Sequence, residues 1–157
     1  MSNGVDAGGG AADDAAAEGR SEAHGPAAAN GWRRICDSHA LTDGGDGVAF
    51  DLAERPGAGG SRWRERAFVV RAGGEVRGFV NRCAHVPIEL DWLPGRFFDD
   101  TGTVLLCSMH GAAYDPTSGR CLDGPCHGRG HLQPVPVRER DGVVWLTTCS
   151  PAENEPR

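Results

Sequence analysis

The fold is decided by a stretch that reads NRCAH at residues 81–85 and CSMHGAAYD at residues 107–115. It holds two short clips, Cys-x-His and Cys-x-x-His, and each clip supplies one thiol and one imidazole. Thiolate sulfur and imidazole nitrogen are the donors that zinc and iron–sulfur centres use. Two tight loops of this kind predict a four-ligand metal site. The candidate ligands are Cys83, His85, Cys107 and His110.

The order of the ligands separates two kinds of metal centre. A zinc finger usually takes both sulfurs from one clip and both nitrogens from the other, whereas each clip is mixed here. Mixed clips suit a centre with two irons, in which both sulfurs bind one iron and both nitrogens bind the other. A zinc site, or four unrelated side chains in loops, are the alternatives.

The residues around the clips carry a resemblance to a known family. With NRCAH before and CSMHGAAYDPTSGRCLDGP (107–125) after, the chain resembles the Rieske ferredoxins over Trp32–Thr148. The resemblance implies one 2Fe–2S cluster per chain, with Cys83 and Cys107 on the inner iron. It also implies that His85 and His110 bind the outer iron, because two imidazoles replace two thiolates in Rieske centres.

Departures from the high-potential members of that family indicate a lower reduction potential. Those members have a Ser two residues after the last His ligand and a Tyr two residues further on. The Tyr is present here as Tyr114, but the Ser is replaced by Ala112. They also carry a disulfide between the two loops. The matching positions here are near Ile88 and at Met109, and neither is a cysteine. We expect Tyr114 to donate a hydrogen bond to the sulfur of Cys107. The alternative is a packed ring with its hydroxyl in solvent.

A second group of donors follows the clips and stays outside the predicted ligand set. It comprises Cys121, Cys126, His127 and His131. A reducing cytosol favours free thiols, with a Cys121–Cys126 disulfide or a second zinc site as alternatives. By the family resemblance, Gly124-Pro125 shields the cluster from one side.

Short strands separated by Gly and Pro turns predict an all-β fold, and no segment has a helical period. The resemblance implies stacked antiparallel sheets with a small cluster-binding subdomain at about residues 81–128. Each clip is expected to follow a strand. The predicted strands are Trp32–Ile35, Val48–Leu52, Ala67–Arg71, Glu75–Val80, Thr103–Leu106, Ala113–Asp115, Arg120–Leu122, Leu132–Arg138 and Val143–Thr147, with a loop at Arg55–Ser61.

Composition divides the 157 residues into three parts. Residues 1–30 are rich in Ala and Gly and carry five acidic residues against one Arg, which is −4 of the total net charge of −6. So polar a segment predicts a disordered arm. Residues 31–149 form the expected domain, and 150–157 a polar tail. Cys36 and Cys149, near the two ends of the domain, are interpreted as structural.

Several classes of function are disfavoured. There is no basic stripe for a nucleic acid, no apolar run of the ~20 residues that span a bilayer, and no signal-peptide pattern. We therefore expect a soluble cytoplasmic protein that contacts neither nucleic acid nor membrane.

The expected function is electron transfer. The cluster would pass one electron at a time from a reductase to an oxygenase or another terminal oxidoreductase. The segment after the second clip is too short to add a catalytic iron domain, so a stand-alone enzyme is not expected. The alternatives are a small subunit of a larger reductase, such as nitrite reductase, and a structural zinc module.

Overall fold

A computed structural model describes residues 31–147, and the predicted arm, the tail and Cys149 lie outside them. The limits predicted for the domain stay a prediction. The described chain forms nine strands and two short 3-10 helices, which confirms the all-β fold. The strands are β1 Trp32–Asp37, β2 Val48–Pro56, β3 Arg62–Ala72, β4 Glu75–Val80, β5 Leu105–Leu106, β6 Ala113–Tyr114, β7 Cys121–Asp123, β8 Val137–Arg140 and β9 Val143–Thr147; the 3-10 helices are Ser38–Ala40 and Ala58–Gly60.

The strands form three antiparallel sheets of three strands each, in the orders β1-β9-β8, β2-β3-β4 and β5-β6-β7. The first and last described strands pair with each other, with Trp32 opposite Thr147. This pairing closes the scaffold across the two ends of the described chain. The third sheet is the smallest and carries the second clip.

Strand β3 lies between two hydrophobic clusters. Its run Ala67–Val70 is continuously apolar and completely buried, because both faces of the strand pack against other elements. Phe68 and Val70 belong to the cluster that also contains both clip cysteines. Ala67 and Val69 belong to the other cluster, with the β1 and β9 side chains. The same strand therefore joins the metal-site half of the molecule to the supporting half.

The hairpin of β2 and β3 is longer than the sequence pattern predicts. A loop was expected at Arg55–Ser61, but β2 continues to Pro56, which pairs with Arg62. The extension beyond Leu52 reads Ala-Glu-Arg-Pro, so no apolar alternation marks it as strand. Backbone pairing continues there because it does not require buried side chains on either face.

The segment before β8 also differs from its prediction. A strand was expected over Leu132–Arg138, but β8 runs from Val137 to Arg140. Pro134 and Pro136 have no N–H to donate, so this part makes only isolated contacts, such as the bridge from Phe79 to Pro134. The strand that does form, β8, lies at the edge of its sheet.

Both clips follow strands, as predicted. The first begins at Cys83, the third residue after β4, and the second at Cys107, the first residue after β5. The long irregular segment between them is fixed by Leu90 and Phe97, which are fully buried in the same cluster as the clip cysteines. Within residues 31–147, no helix is both long enough and apolar enough to cross a bilayer.

Candidate metal centre

The first clip is held by the side chain of Asn81. Its Oδ1 accepts a hydrogen bond from the backbone N–H of Leu90 at 2.9 Å, and its Nδ2 donates to Oδ1 of Asp91 at 2.8 Å. The backbone N–H of Cys83 donates to the carbonyl of Ile88 at 2.8 Å. Asn81 is buried, so its amide closes the loop from inside. Sequence reasoning missed this role, because a single Asn after a strand has no distinctive pattern.

The second clip is a tight turn closed by its own backbone. The N–H of Cys107 donates to the carbonyl of Ala112 at 2.9 Å, and the N–H of Gly111 donates to the carbonyl of Cys107 at 2.8 Å. Gly111 has a φ of +71°, in the left-handed region that glycine adopts without steric cost. The N–H of Ser108 donates to the carbonyl of Leu90 at 2.9 Å, which joins the two clip loops.

The two loops bring the four predicted ligands together at one end of the molecule. Cys83 and Cys107 are buried, whereas His85 and His110 are exposed. The two imidazole rings lie 4.9 Å apart, centroid to centroid, at an interplanar angle of 83°. Nδ1 of His85 lies 3.5 Å from Sγ of Cys83. Sulfur therefore lies on the inside of the site and nitrogen on the outside.

This arrangement suits a binuclear cluster better than a single ion, because it separates the two kinds of donor. A thiolate pair inside and an imidazole pair at the surface is the division that a Rieske-type 2Fe–2S centre uses. Within residues 31–147, no group of three or more His, Cys, Asp and Glu side chains is placed to hold a metal ion. The fit therefore rests on the donor chemistry and on the pairwise distances.

Tyr114 contacts the sulfur of Cys83 rather than that of Cys107, so the predicted partner is wrong. Its hydroxyl lies 3.1 Å from Sγ of Cys83, not beside Cys107, and it accepts a hydrogen bond from the backbone N–H of Ala84 at 3.0 Å. The ring is fully buried, so the alternative of a solvent-facing hydroxyl is also wrong. The reason is the pairing of β6: Tyr114 lies opposite Leu105, and its long side chain extends beneath the first loop.

The surroundings of the two thiols differ, and so do their pKa values. Burial raises the pKa of the Cys83 thiol, but hydrogen bonds from Tyr114 and His85 outweigh burial and bring this pKa to about 7. Burial raises the pKa of Cys107. Since metals bind the thiolate, the hydrogen bonds to Cys83 favour the form that a metal needs.

The loop after β7 covers the second clip and contains a disulfide. Cys121 and Cys126 are bonded to each other, with their Cα atoms 6.4 Å apart. The expectation of free thiols is therefore wrong, and a second zinc site that uses these two sulfurs is not formed. The chain reverses at Gly124, which brings the two Cα atoms into the range that a disulfide spans.

Gly124 also makes the closest contact between this loop and the second clip. It has a φ of +89°, and a Cβ at this position would lie 2.7 Å from the carbonyl oxygen of Gly111 and 2.9 Å from Cα of Ala112. Only glycine permits so close an approach. The predicted cover by Gly124-Pro125 thus has a physical basis in this contact. We call residues 121–128 the cover loop.

Two acidic residues beside the first clip are engaged with neighbouring side chains. A carboxylate oxygen of Glu89 lies 3.1 Å from the guanidinium of Arg66, and Asp91 accepts from Asn81. Asp91 also accepts from the backbone N–H of Gly95 at 3.1 Å. Both carboxylates therefore support the loop in the structure.

Comparison with known proteins agrees with this geometry. The Rieske [2Fe-2S] domain family matches residues 31–142, which is most of the chain. Oxidoreductase NdmD of Pseudomonas putida is 31% identical over 84 residues, which are 50% of this chain and 13% of that protein. The chain therefore spans a small part of this relative.

Two solved structures show the same fold. The terminal oxygenase of carbazole 1,9a-dioxygenase from Nocardioides aromaticivorans IC177 is 26% identical with a TM-score of 0.58, over 82% of this chain and 32% of that one. The Sphingomonas yanoikuyae B1 ferredoxin is 26% identical with a TM-score of 0.55, over 74% of this chain and 97% of that one. The chain thus matches about a third of an oxygenase but nearly all of a ferredoxin.

The match over residues 31–142 covers both clips and the cover loop. A structural zinc module is therefore set aside. The chain belongs to the Rieske [2Fe-2S] domain family, and its cofactor is a 2Fe–2S cluster.

Proposed function

We propose that this protein is a one-electron carrier that accepts an electron from a reductase and passes it to an oxygenase or another terminal oxidoreductase. The observation that carries the proposal is the division of the site, with buried thiols and two exposed imidazoles. When bound, the cluster accepts and releases one electron. The imidazoles at the surface are the groups that a redox partner can approach.

The proposed ligands are Cys83 and Cys107 for the inner iron and His85 and His110 for the outer iron. The support is the 4.9 Å approach of the two rings and the 3.5 Å approach of Nδ1 of His85 to Sγ of Cys83. Tyr114 is proposed as a hydrogen-bond donor to the sulfur of Cys83. Its oxygen already accepts from Ala84, so its proton is free to point at the sulfur.

The partner classes rest on the comparisons. A ferredoxin matched over nearly its whole length supports a separate carrier, and a terminal oxygenase supports an oxygenase as acceptor. The partial match to a much longer oxidoreductase favours a second candidate, a subunit or domain of a larger redox enzyme. Isolation of the native protein separates the two, because a carrier purifies without a bound catalytic subunit. The cytoplasmic location stays a prediction.

The test is an anaerobic reductive titration with iron analysis. We expect two irons per chain, uptake of one electron per chain, and a spin-resonance signal in the reduced state only. A colourless protein, or uptake of more than one electron per chain, would contradict the proposal.

The ligand assignment is tested by His85→Cys and His110→Cys. A thiolate in place of a neutral imidazole adds negative charge, so each variant that retains a cluster should lose the Rieske spectrum and fall in potential by on the order of 100 mV or more. His39→Cys is the matched control, because His39 is exposed on the first 3-10 helix, far from the clips in the chain. A Rieske spectrum that survives either ligand change would show that the assignment is wrong.

A further inference from the structure

Some arginines of the described chain are paired with an acceptor group and others are not. Most of those in residues 31–147 bind a carboxylate or a carbonyl: Arg33, Arg34, Arg62, Arg64, Arg66, Arg71, Arg77, Arg96 and Arg140. Within the same residues, the guanidinium groups of Arg82, Arg120, Arg129 and Arg138 have no such partner. The first three belong to the part of the chain that builds the metal centre. Free cationic charge is therefore concentrated there.

One of these arginines, Arg82, lines a cleft beside the first clip, and a second, Arg120, lies across a β-bridge from another residue that lines it. A cavity of about 370 Å³ is lined by Arg82, His85, His131 and Gln133, among others, and no Asp or Glu of the described chain lines it. Arg120 lies opposite His131 across an isolated antiparallel bridge, so the two side chains project from the same face. We call this the cationic cleft.

The cleft has the chemistry of a carboxylate site. Guanidinium groups bind carboxylates through paired, charge-assisted hydrogen bonds. No acidic side chain of the cleft wall competes for the unpaired donors of Arg82, His131 and Gln133. A cleft lined by one sign of charge also concentrates oppositely charged groups and accelerates their approach. His85, one of the two proposed surface imidazoles, forms part of the same wall.

We propose that the cationic cleft binds an acidic side chain of the protein that exchanges electrons with this domain, and so directs that partner to His85. The inference rests on the proposed function and names the partner's chemistry: a polypeptide surface that carries carboxylates. The net charge of −6 for the whole chain would not suggest such a partner. The charges that matter are local and unpaired.

The first experiment measures electron transfer to small oxidants of opposite charge. The reduced holoprotein gives one electron to hexacyanoferrate(III), which becomes hexacyanoferrate(II), or to hexaammineruthenium(III), which becomes hexaammineruthenium(II). At low ionic strength, Arg82→Glu should slow the reaction with the anionic oxidant about threefold to tenfold. It should not slow the reaction with the cationic one. Added salt should reduce the difference between variant and wild type.

Arg138→Glu is the matched control. Arg138 is also unpaired, and it lies on β8 outside the cleft, so its substitution changes the net charge of the chain by the same amount. If Arg138→Glu slows hexacyanoferrate(III) as much as Arg82→Glu does, net charge explains the effect and the cleft proposal is wrong.

The second experiment identifies the class of anion by binding. Poly-L-glutamate should bind the oxidised holoprotein in calorimetric titration and slow the transfer to hexacyanoferrate(III), and Arg82→Glu should weaken both effects. Inorganic phosphate at equal ionic strength should do neither. Equal competition by phosphate would show a small-anion site and overturn the proposal. The cleft proposal would also be wrong if the Arg82→Glu variant bound polyglutamate as tightly as the wild type. If the reduced wild-type protein reduced neither oxidant, the proposed function as an electron carrier would be wrong.

Discussion

The hydroxyl of Tyr114 lies 3.1 Å from Sγ of Cys83, and its oxygen accepts the N–H of Ala84. One buried side chain from the third sheet therefore contacts the first clip at both its sulfur and its backbone. A donor at a ligand sulfur stabilises the more negative, reduced state of an iron–sulfur centre. This contact is the site's clearest means of tuning its potential.

Tyr114→Phe should lower the midpoint potential. The change removes one hydrogen bond of about 0.5–1.5 kcal/mol, which corresponds to roughly 20–60 mV for a one-electron couple. The phenyl ring occupies nearly the same buried space, so the visible spectrum should stay that of a Rieske centre. The measurement is a redox titration of both proteins at one pH. An unchanged midpoint would show that the hydroxyl does not donate to the sulfur.

The unmodified protein should have a midpoint near the low end of the Rieske range of about −150 to +300 mV. Ala112 supplies no hydroxyl, and only its backbone carbonyl is engaged, with the N–H of Cys107. Ala112→Ser should raise the midpoint by tens of millivolts if the new hydroxyl donates to a cluster sulfur. Ala113→Ser is the control, because Ala112 is fully buried in the cluster that contains both clip cysteines, whereas Ala113 is only half-buried. A wild-type value of about +200 mV or more would contradict the expectation.

The sequence predicts the part of the site that depends on local chemistry. The clips and the strands before them each follow from a short pattern. The partner of Tyr114 does not, because it depends on the register of β6 against β5 and on the path of a loop that starts far away in sequence. The role of Asn81 was missed for the same reason, since its partners lie nine and ten residues farther along an irregular segment.

The cysteines show a similar limit. Spacing alone could not decide between thiols and a disulfide for Cys121 and Cys126, and the argument from compartment favoured the wrong state. The structure decides it through the reversal at Gly124, which the backbone of the second clip requires. The extension of β2 to Pro56 was missed because its sequence, Ala-Glu-Arg-Pro, has no apolar alternation.

Loss of the disulfide should loosen the cover loop. The bond closes a short loop between cysteines that are 5 residues apart in the sequence, and chain entropy assigns about 2 kcal/mol of stabilisation to such a loop. The variant Cys121→Ser/Cys126→Ser should lose about that much unfolding free energy and should release iron to a chelator several-fold faster. The spectrum of the intact cluster should not change, because neither sulfur is a proposed ligand.

Cys36→Ser is the control for this variant. Cys36 is a buried free thiol in the other hydrophobic cluster, so its substitution should destabilise the fold without specifically accelerating iron release at temperatures where the protein is folded. The prediction is wrong if the double variant releases iron at the wild-type rate. It is also wrong if the reduced wild-type protein, treated with dithiothreitol, differs from the double variant in its release rate.

The ion pair between Arg71 and Glu139 should make stability depend on pH. The guanidinium of Arg71 lies 2.8 Å from Oε1 of Glu139 and joins β3 to β8. The hydrogen bond from Arg71, with a second one from Ser38, lowers the pKa of Glu139 from 4.5 to about 2. A lowered carboxylate pKa contributes stability that is fully present above the unfolded value, and this contribution is lost as the pH falls through the folded value.

Glu139→Gln should therefore cost about 1 kcal/mol at neutral pH, a figure reduced for the partial solvent exposure of the carboxylate. The cost should begin to shrink once the pH falls below 4.5, the ordinary pKa of this carboxyl. Urea unfolding of the holoprotein between about pH 4 and 7 measures the difference, with urea chosen because it does not screen charge. Glu75→Gln is the control, because the Glu75–Arg77 pair is largely exposed and should change stability little. A constant difference between Glu139→Gln and wild type over that pH range would show that the ion pair does not hold the two sheets together.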